Sequence, residues 1–156
     1  MSITVEYLFN AELDLDSLIA QLNKKLGFSF SPYEGDSNNQ FCRLLGMELS
    51  LITNHGLVDD RECNFEDYAF QIGTRTPVSD GDLRAMQVES MASLAFAMYR
   101  RLEVQSGLLS FDAQTALARY RITESGWYDD LSSSIVSFPQ HFADVRARIK
   151  RDDWVA

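Results

Sequence analysis

A chain of 156 residues with 46% hydrophobic and 12% aromatic content is long and apolar enough to bury a core as one domain, residues 1–156, and is too apolar for a disordered chain. Its net charge is −9, and the excess sits in front: residues 1–70 carry twelve acids and four bases, the remainder eleven and ten. That field repels phosphate backbones and argues against nucleic-acid binding, while no run of about 18 apolar residues marks a membrane span.

The opening "MSITVEYLFN" lacks the basic n-region of a secretory signal, so the cytoplasm is the expected compartment. Within it Ile3, Val5, Tyr7 and Phe9 alternate with Thr4 and Glu6, the period of a strand with one buried face. Leu15, Leu18, Ile19, Leu22 and Leu26 then fall on one helical stripe. Asp14 or Asp16 can cap the start of that helix, Lys24 and Lys25 suit its last turn, and Gly27 suits its stop. "FSFSPYEGDSNNQ" is rich in turn residues and predicts a loop. "FCRLLGMELSLIT" predicts one long strand, bent or bulged at Gly46. After an acidic connection, "YAFQIGTRT" alternates again and predicts a strand ended by Pro77.

The most helical segment runs from Ser79, where Asp82 completes a capping-box pattern, to Gly107. Leu83, Met86, Met91, Leu94, Met98 and Leu102 give it a broad apolar face, expected to pack centrally. "GLLSFD" predicts a short strand, "AQTALARYRI" leans helical by composition, and "GWYDDL" has turn character. "SFPQHFADVRARIKR" predicts a last helix, with Ser137 as cap and Pro139 in the first turn. The order β-α-β-β-α-β followed by helical material predicts an α+β fold: an antiparallel sheet with helices on one face, ferredoxin-like, with an extra C-terminal helix. A meandering sheet around one long helix is the alternative. No repeat or linker divides the chain.

No motif names a reaction. His55 and His141 have no histidine neighbour at ligand spacing, and Cys42 and Cys63 share no metal spacing, which disfavours zinc. "DDRECNFED" lacks the order and the central glycine of a calcium loop. Phosphate-binding glycine loops and a nucleophile elbow are also missing, so neither a cofactor nor catalytic residues are assigned. Cys63 among carboxylates is a poor thiolate candidate, and Cys42 fits a small packed group.

What stands out is "HGLVDDRECNFEDY", in which Asp59, Asp60, Glu62, Glu66 and Asp67 crowd into nine positions beside Phe65 and Tyr68. Carboxylates interleaved with aromatics suit a partner that presents Arg and Lys: the rings anchor and the charges steer. Trp127 and Tyr128, beside Asp129 and Asp130, form a smaller cluster of the same kind. The tail bases Arg146, Arg148, Lys150 and Arg151 are internal competitors for the acids. The leading expectation is a non-enzymatic acidic binding protein that neutralises or regulates a basic protein partner, such as a nuclease toxin, as immunity proteins and antitoxins do. Its site would comprise Asp59, Asp60, Glu62, Phe65, Glu66, Asp67, Tyr68 and Trp127, without metal. Two alternatives remain: an enzyme or small-ligand binder whose site is assembled in three dimensions, and a structural or oligomeric subunit with an exposed apolar face in residues 41–52.

Overall fold

A computed structural model of the chain describes residues 3–44, 47–60, 63–76, 81–123 and 126–129. Strand β1 (Ile3–Phe9) leads into helix α1 (Leu15–Leu26), and β2 (Ser31–Tyr33), β3 (Asp36–Leu44), β4 (Met47–Thr53) and β5 (Phe70–Thr76) follow. Helix α2 (Gly81–Leu102) then precedes β6 (Ser106–Phe111), β7 (Thr115–Thr123) and β8 (Gly126–Asp129). The strands form one sheet in the order β2-β3-β4-β5-β1-β6-β7-β8, with every neighbouring pair antiparallel.

Helix α1 ends where its sequence says it should. The Asp14 carboxylate accepts from the Ser17 amide at 2.8 Å, and Gly27 adopts φ 72° to close the helix, a conformation only glycine takes without strain. The Ser17 amide and hydroxyl hold the Asp14 carboxyl below its ordinary range. Leu18 and Leu22 turn inward and are fully buried.

Register assigns every strand residue to a face. On one face Leu49, Thr74 and Val5 line up, as do Leu51, Ile72, Tyr7 and Leu109. This face packs on Leu18 and Leu22 of α1 and on Val88, Met91, Ala95 and Met98 of α2, forming the main core. Both helices therefore share one side of the sheet.

The sequence expected one buried face for β1, but residues 5–9 are all buried. The strand is central, and part of its second face is roofed by the connection between β4 and β5. A smaller core forms there from Leu8, Leu108, Ala116, Cys63, Phe65 and Tyr68.

Four parts of the chain depart from expectation. The segment expected as a loop before Phe41 contains a hairpin. Tyr33 pairs with Asp36, and Glu34 and Gly35 both take positive φ, as a two-residue hairpin turn requires. The expected single strand is two, β3 and β4, which pair antiparallel with Leu44 opposite Met47. The alternation of Met47, Leu49 and Leu51 corresponds to β4, and Gly46, where a bend or bulge is expected, lies outside the described residues.

The helical lean of residues 113–122 is overridden by pairing, since β7 lies against β6 through the turn Phe111–Gln114. "GWYD", expected as a turn, is strand β8, with Trp127 opposite Ile122. The expected C-terminal helix and Ser79 lie outside the described residues.

Acidifying the solution removes the contribution of the Asp14 cap. The carboxyl is depressed in the folded state, so its stabilisation is complete above the ordinary carboxylate range of about 4 and is lost as pH falls through the lower, folded value. Thermal melts of the native chain and Asp14→Ala should differ most near neutrality and converge in acid; a gap independent of pH would rule this out.

Candidate functional site

The acidic connection is an ordered roof. From Asn54 the chain crosses the second face of the sheet, and a 3-10 turn at Phe65–Asp67 brings it to β5. Cys63, Phe65 and Tyr68 point down and are 0%, 1% and 8% exposed, whereas Asp59, Asp60, Glu66 and Asp67 point out and are exposed. Hydrogen bonds within the loop fix this division. The Asp59 carboxylate accepts from the Glu66 amide at 2.8 Å, and the Glu66 carboxylate accepts from the Asp59 amide at 3.3 Å. The amide of Asp60 donates to the Cys63 carbonyl at 2.9 Å and the Cys63 amide to the Asp60 carbonyl at 3.3 Å. Asn64 donates to the Asp67 carboxylate at 2.7 Å.

Two side chains tie the roof down. His55 Nδ1 accepts from the Leu57 amide at 3.0 Å, which leaves the proton on Nε2 to donate to the Tyr68 carbonyl at 2.9 Å. Asn10, beyond β1, donates to the Asp67 carbonyl at 2.7 Å and accepts from the Ala69 amide at 2.8 Å.

The predicted site therefore divides. Asp59, Asp60, Glu66 and Asp67 come together on the exposed side of one loop. Phe65 and Tyr68, expected to anchor a partner, are instead the anchor of the loop itself, because Leu8 and Leu108 beneath them need cover. Trp127 is on β8, at the far edge of the sheet from β2. Glu62 and the four tail bases lie outside the described residues. Among the described residues no three His, Cys, Asp or Glu side chains gather as a metal site. Neither cysteine is in a disulfide; both are buried, in the two separate cores on opposite faces of the sheet, and burial pushes the Cys42 thiol up, which opposes a thiolate role.

Register also builds a surface that no local motif announced. Beside the roof, the second face carries a groove of about 490 Å³ lined from β1 to β5, of which Phe41, Arg43, Glu48, Ser50, Gly73 and Arg75 are part. Arg43, Glu48, Arg75 and Thr4 stand in one row across four strands; Phe41, Ser50, Gly73 and Glu6 form the next. Glu48 joins both arginines, at 3.5 Å to Arg43 and 2.9 Å to Arg75.

Glu6 is 3% exposed. Its carboxylate accepts from Ser110 Oγ at 2.8 Å and from the Ala113 amide at 3.0 Å, and it also bonds the Thr4 hydroxyl. It thereby holds the β6–β7 turn, where Asp112 and Ala113 both take positive φ.

Compared with known proteins, the chain matches no family model, no curated protein and no solved structure. Among the described residues no helix is long and apolar enough to cross a membrane.

Two substitutions separate the sides of the roof. Phe65→Ala should lower unfolding free energy by about 3–5 kcal/mol, because it empties a buried site. Glu66→Gln keeps an acceptor for the Asp59 amide and should stay within about 0.5 kcal/mol of the native chain. Urea denaturation measures both, and equal effects would contradict the assigned orientations. Glu6→Ala, which strands the Ser110 hydroxyl and the Ala113 amide, should cost about 3 kcal/mol by the same measurement, and Glu6→Gln clearly less.

Proposed function

We propose that this protein is a non-enzymatic binding protein of the cytoplasm whose acidic loop engages a basic protein partner and neutralises it, in the manner of an immunity protein or antitoxin against a cationic nuclease. The observation that carries this reading is the common exposure of Asp59, Asp60, Glu66 and Asp67 on a loop held by its own hydrogen bonds. Ordered carboxylates lose little further freedom on binding, and their charge accelerates encounter with a cationic surface. With Phe65 and Tyr68 turned inward, the charges carry the contact, and Trp127 belongs to a different part of the sheet.

The scaffold fits a ferredoxin-like arrangement with added strands. If β2, β3, β7 and β8 are set aside, β1, α1, β4, β5, α2 and β6 follow the βαββαβ order, and their strands lie as β4-β5-β1-β6. This likeness concerns architecture alone.

The alternative of an oligomer through residues 41–52 finds less support. Met47, Leu49 and Leu51 are buried, the two leucines in the core that the helices cover, and the less buried set of β4 is Glu48, Ser50 and Ile52. The small-ligand alternative is favoured by one specific feature, the groove beside the roof.

The test uses amides that preserve the loop's acceptors. Asp59→Asn, Asp60→Asn, Glu66→Gln and Asp67→Asn, combined in one chain, should leave folding intact. Capture of a partner from the native cell should weaken about tenfold or more, chiefly through the on-rate, and native binding should fall with added salt. Equal capture by the native and fourfold-substituted chains would refute the assignment.

A further inference from the structure

We propose that the sheet face opposite α1 and α2 carries a second site, a groove over Gly73 that binds a small planar ring bearing a single oxyanion, carboxylate or phosphate. The argument begins with what glycine does there. Gly73 lies in mid-strand, opposite Glu6 on one side and Ser50 on the other. Its backbone does not require glycine, since φ is not positive. A Cβ built at this position would meet only Gln71 Nε2, at 3.8 Å. Glycine in a strand interior weakens it, and the one thing its presence adds is open space above the sheet.

That space has a polarity. Glu6 beside it has both carboxylate oxygens engaged by Thr4, Ser110 and Ala113. Along its edge stand two guanidiniums, Arg43 and Arg75, and their single carboxylate partner among the described residues is Glu48. Their other N–H groups suit a second oxyanion, whether carboxylate or phosphate. Glu48 acts as a positioning residue that aims both arginines. The negative field of the roof is screened over about 8 Å at physiological salt, so guanidiniums in direct contact decide the sign of the ligand.

The groove also has an aromatic wall: Tyr33 and Phe41 meet with centroids 5.8 Å apart, and the Arg43 guanidinium lies 5.9 Å from the Phe41 ring centre. A bare ion leaves a space of about 490 Å³ largely empty, whereas a ring over Gly73 fills it and packs against that wall. Asn39 contributes a buried Oδ1 with no hydrogen-bond partner on the groove lining, as an acceptor for a polar ring edge.

Amide NMR titrations of the full chain with 1-naphthoate and with AMP test the two sources of the anion, and 1-naphthylmethylammonium is the cationic counterpart. Saturable shifts at the Phe41, Ser50, Gly73 and Arg75 amides with either anion, and none with the cation, are expected. Arg75→Gln, at a side chain 57% exposed, should weaken binding about tenfold with no loss of fold. Gly73→Val should abolish binding while the melting temperature holds or rises. The proposal is overturned if neither anion gives saturable shifts by about 5 mM, if shifts fall elsewhere, if the cation binds as well, or if both variants bind like the native chain.

Discussion

The structure depends on burying strand β1 from both sides. It lies between β5 and β6, and an inner strand cannot leave either face wet when both carry large apolar groups. Tyr7 and Phe9 stack at 4.9 Å, and Phe9 stacks on Phe70 at 5.5 Å, beneath the helices. Leu8 on the reverse face needs separate cover, because both described helices pack on the other side. The connection from Asn54 to Ala69 supplies that cover. Its alternation of rings and acids is thus the pattern of a short amphipathic lid: the rings bury, and the carboxylates between them meet water because nothing else is left for that side.

This explains why one stretch supports both a structural and a functional reading. Cys63, Phe65 and Tyr68 are explained by burial alone. The outward carboxylates are not, because neutral polar residues would keep the same loop bonds without mutual repulsion. The proposal of a cationic partner rests on that residue of unexplained charge, and it no longer draws on the aromatics.

The legible parts of the sequence were those whose signals are local. The first helix was readable to its cap and stop because Asp14, Leu18, Leu22 and Gly27 each act within one or two turns. Strands β1, β4, β5 and β6 showed through alternation or short apolar runs. The β2–β3 hairpin was lost because its turn, Glu34-Gly35, interrupts a polar run that reads as continuous, and β3 and β4 merged because the apolar run from Phe41 to Thr53 reads as one strand. Strand β7 was misjudged because alanine, glutamine and arginine favour a helix until pairing with β6 outweighs them. Phe65 could have been placed inward from the short spacing to Cys63 and Tyr68, which together make an apolar set of three. The groove was invisible for a different reason: Thr4, Arg43, Glu48 and Arg75 become neighbours only through the register of four strands.

The central position of β1 also has a consequence in time. During synthesis this strand is made before its sheet partners, Phe70–Thr76 and Ser106–Phe111, which follow about 60 to 100 residues later. A newly made chain must therefore hold its most apolar strand without either neighbour while most of the polypeptide is still being assembled. Such late closure slows folding and lengthens the interval in which a bare strand edge can pair with the wrong molecule. Dependence on a holding chaperone during translation would be a natural property of this topology.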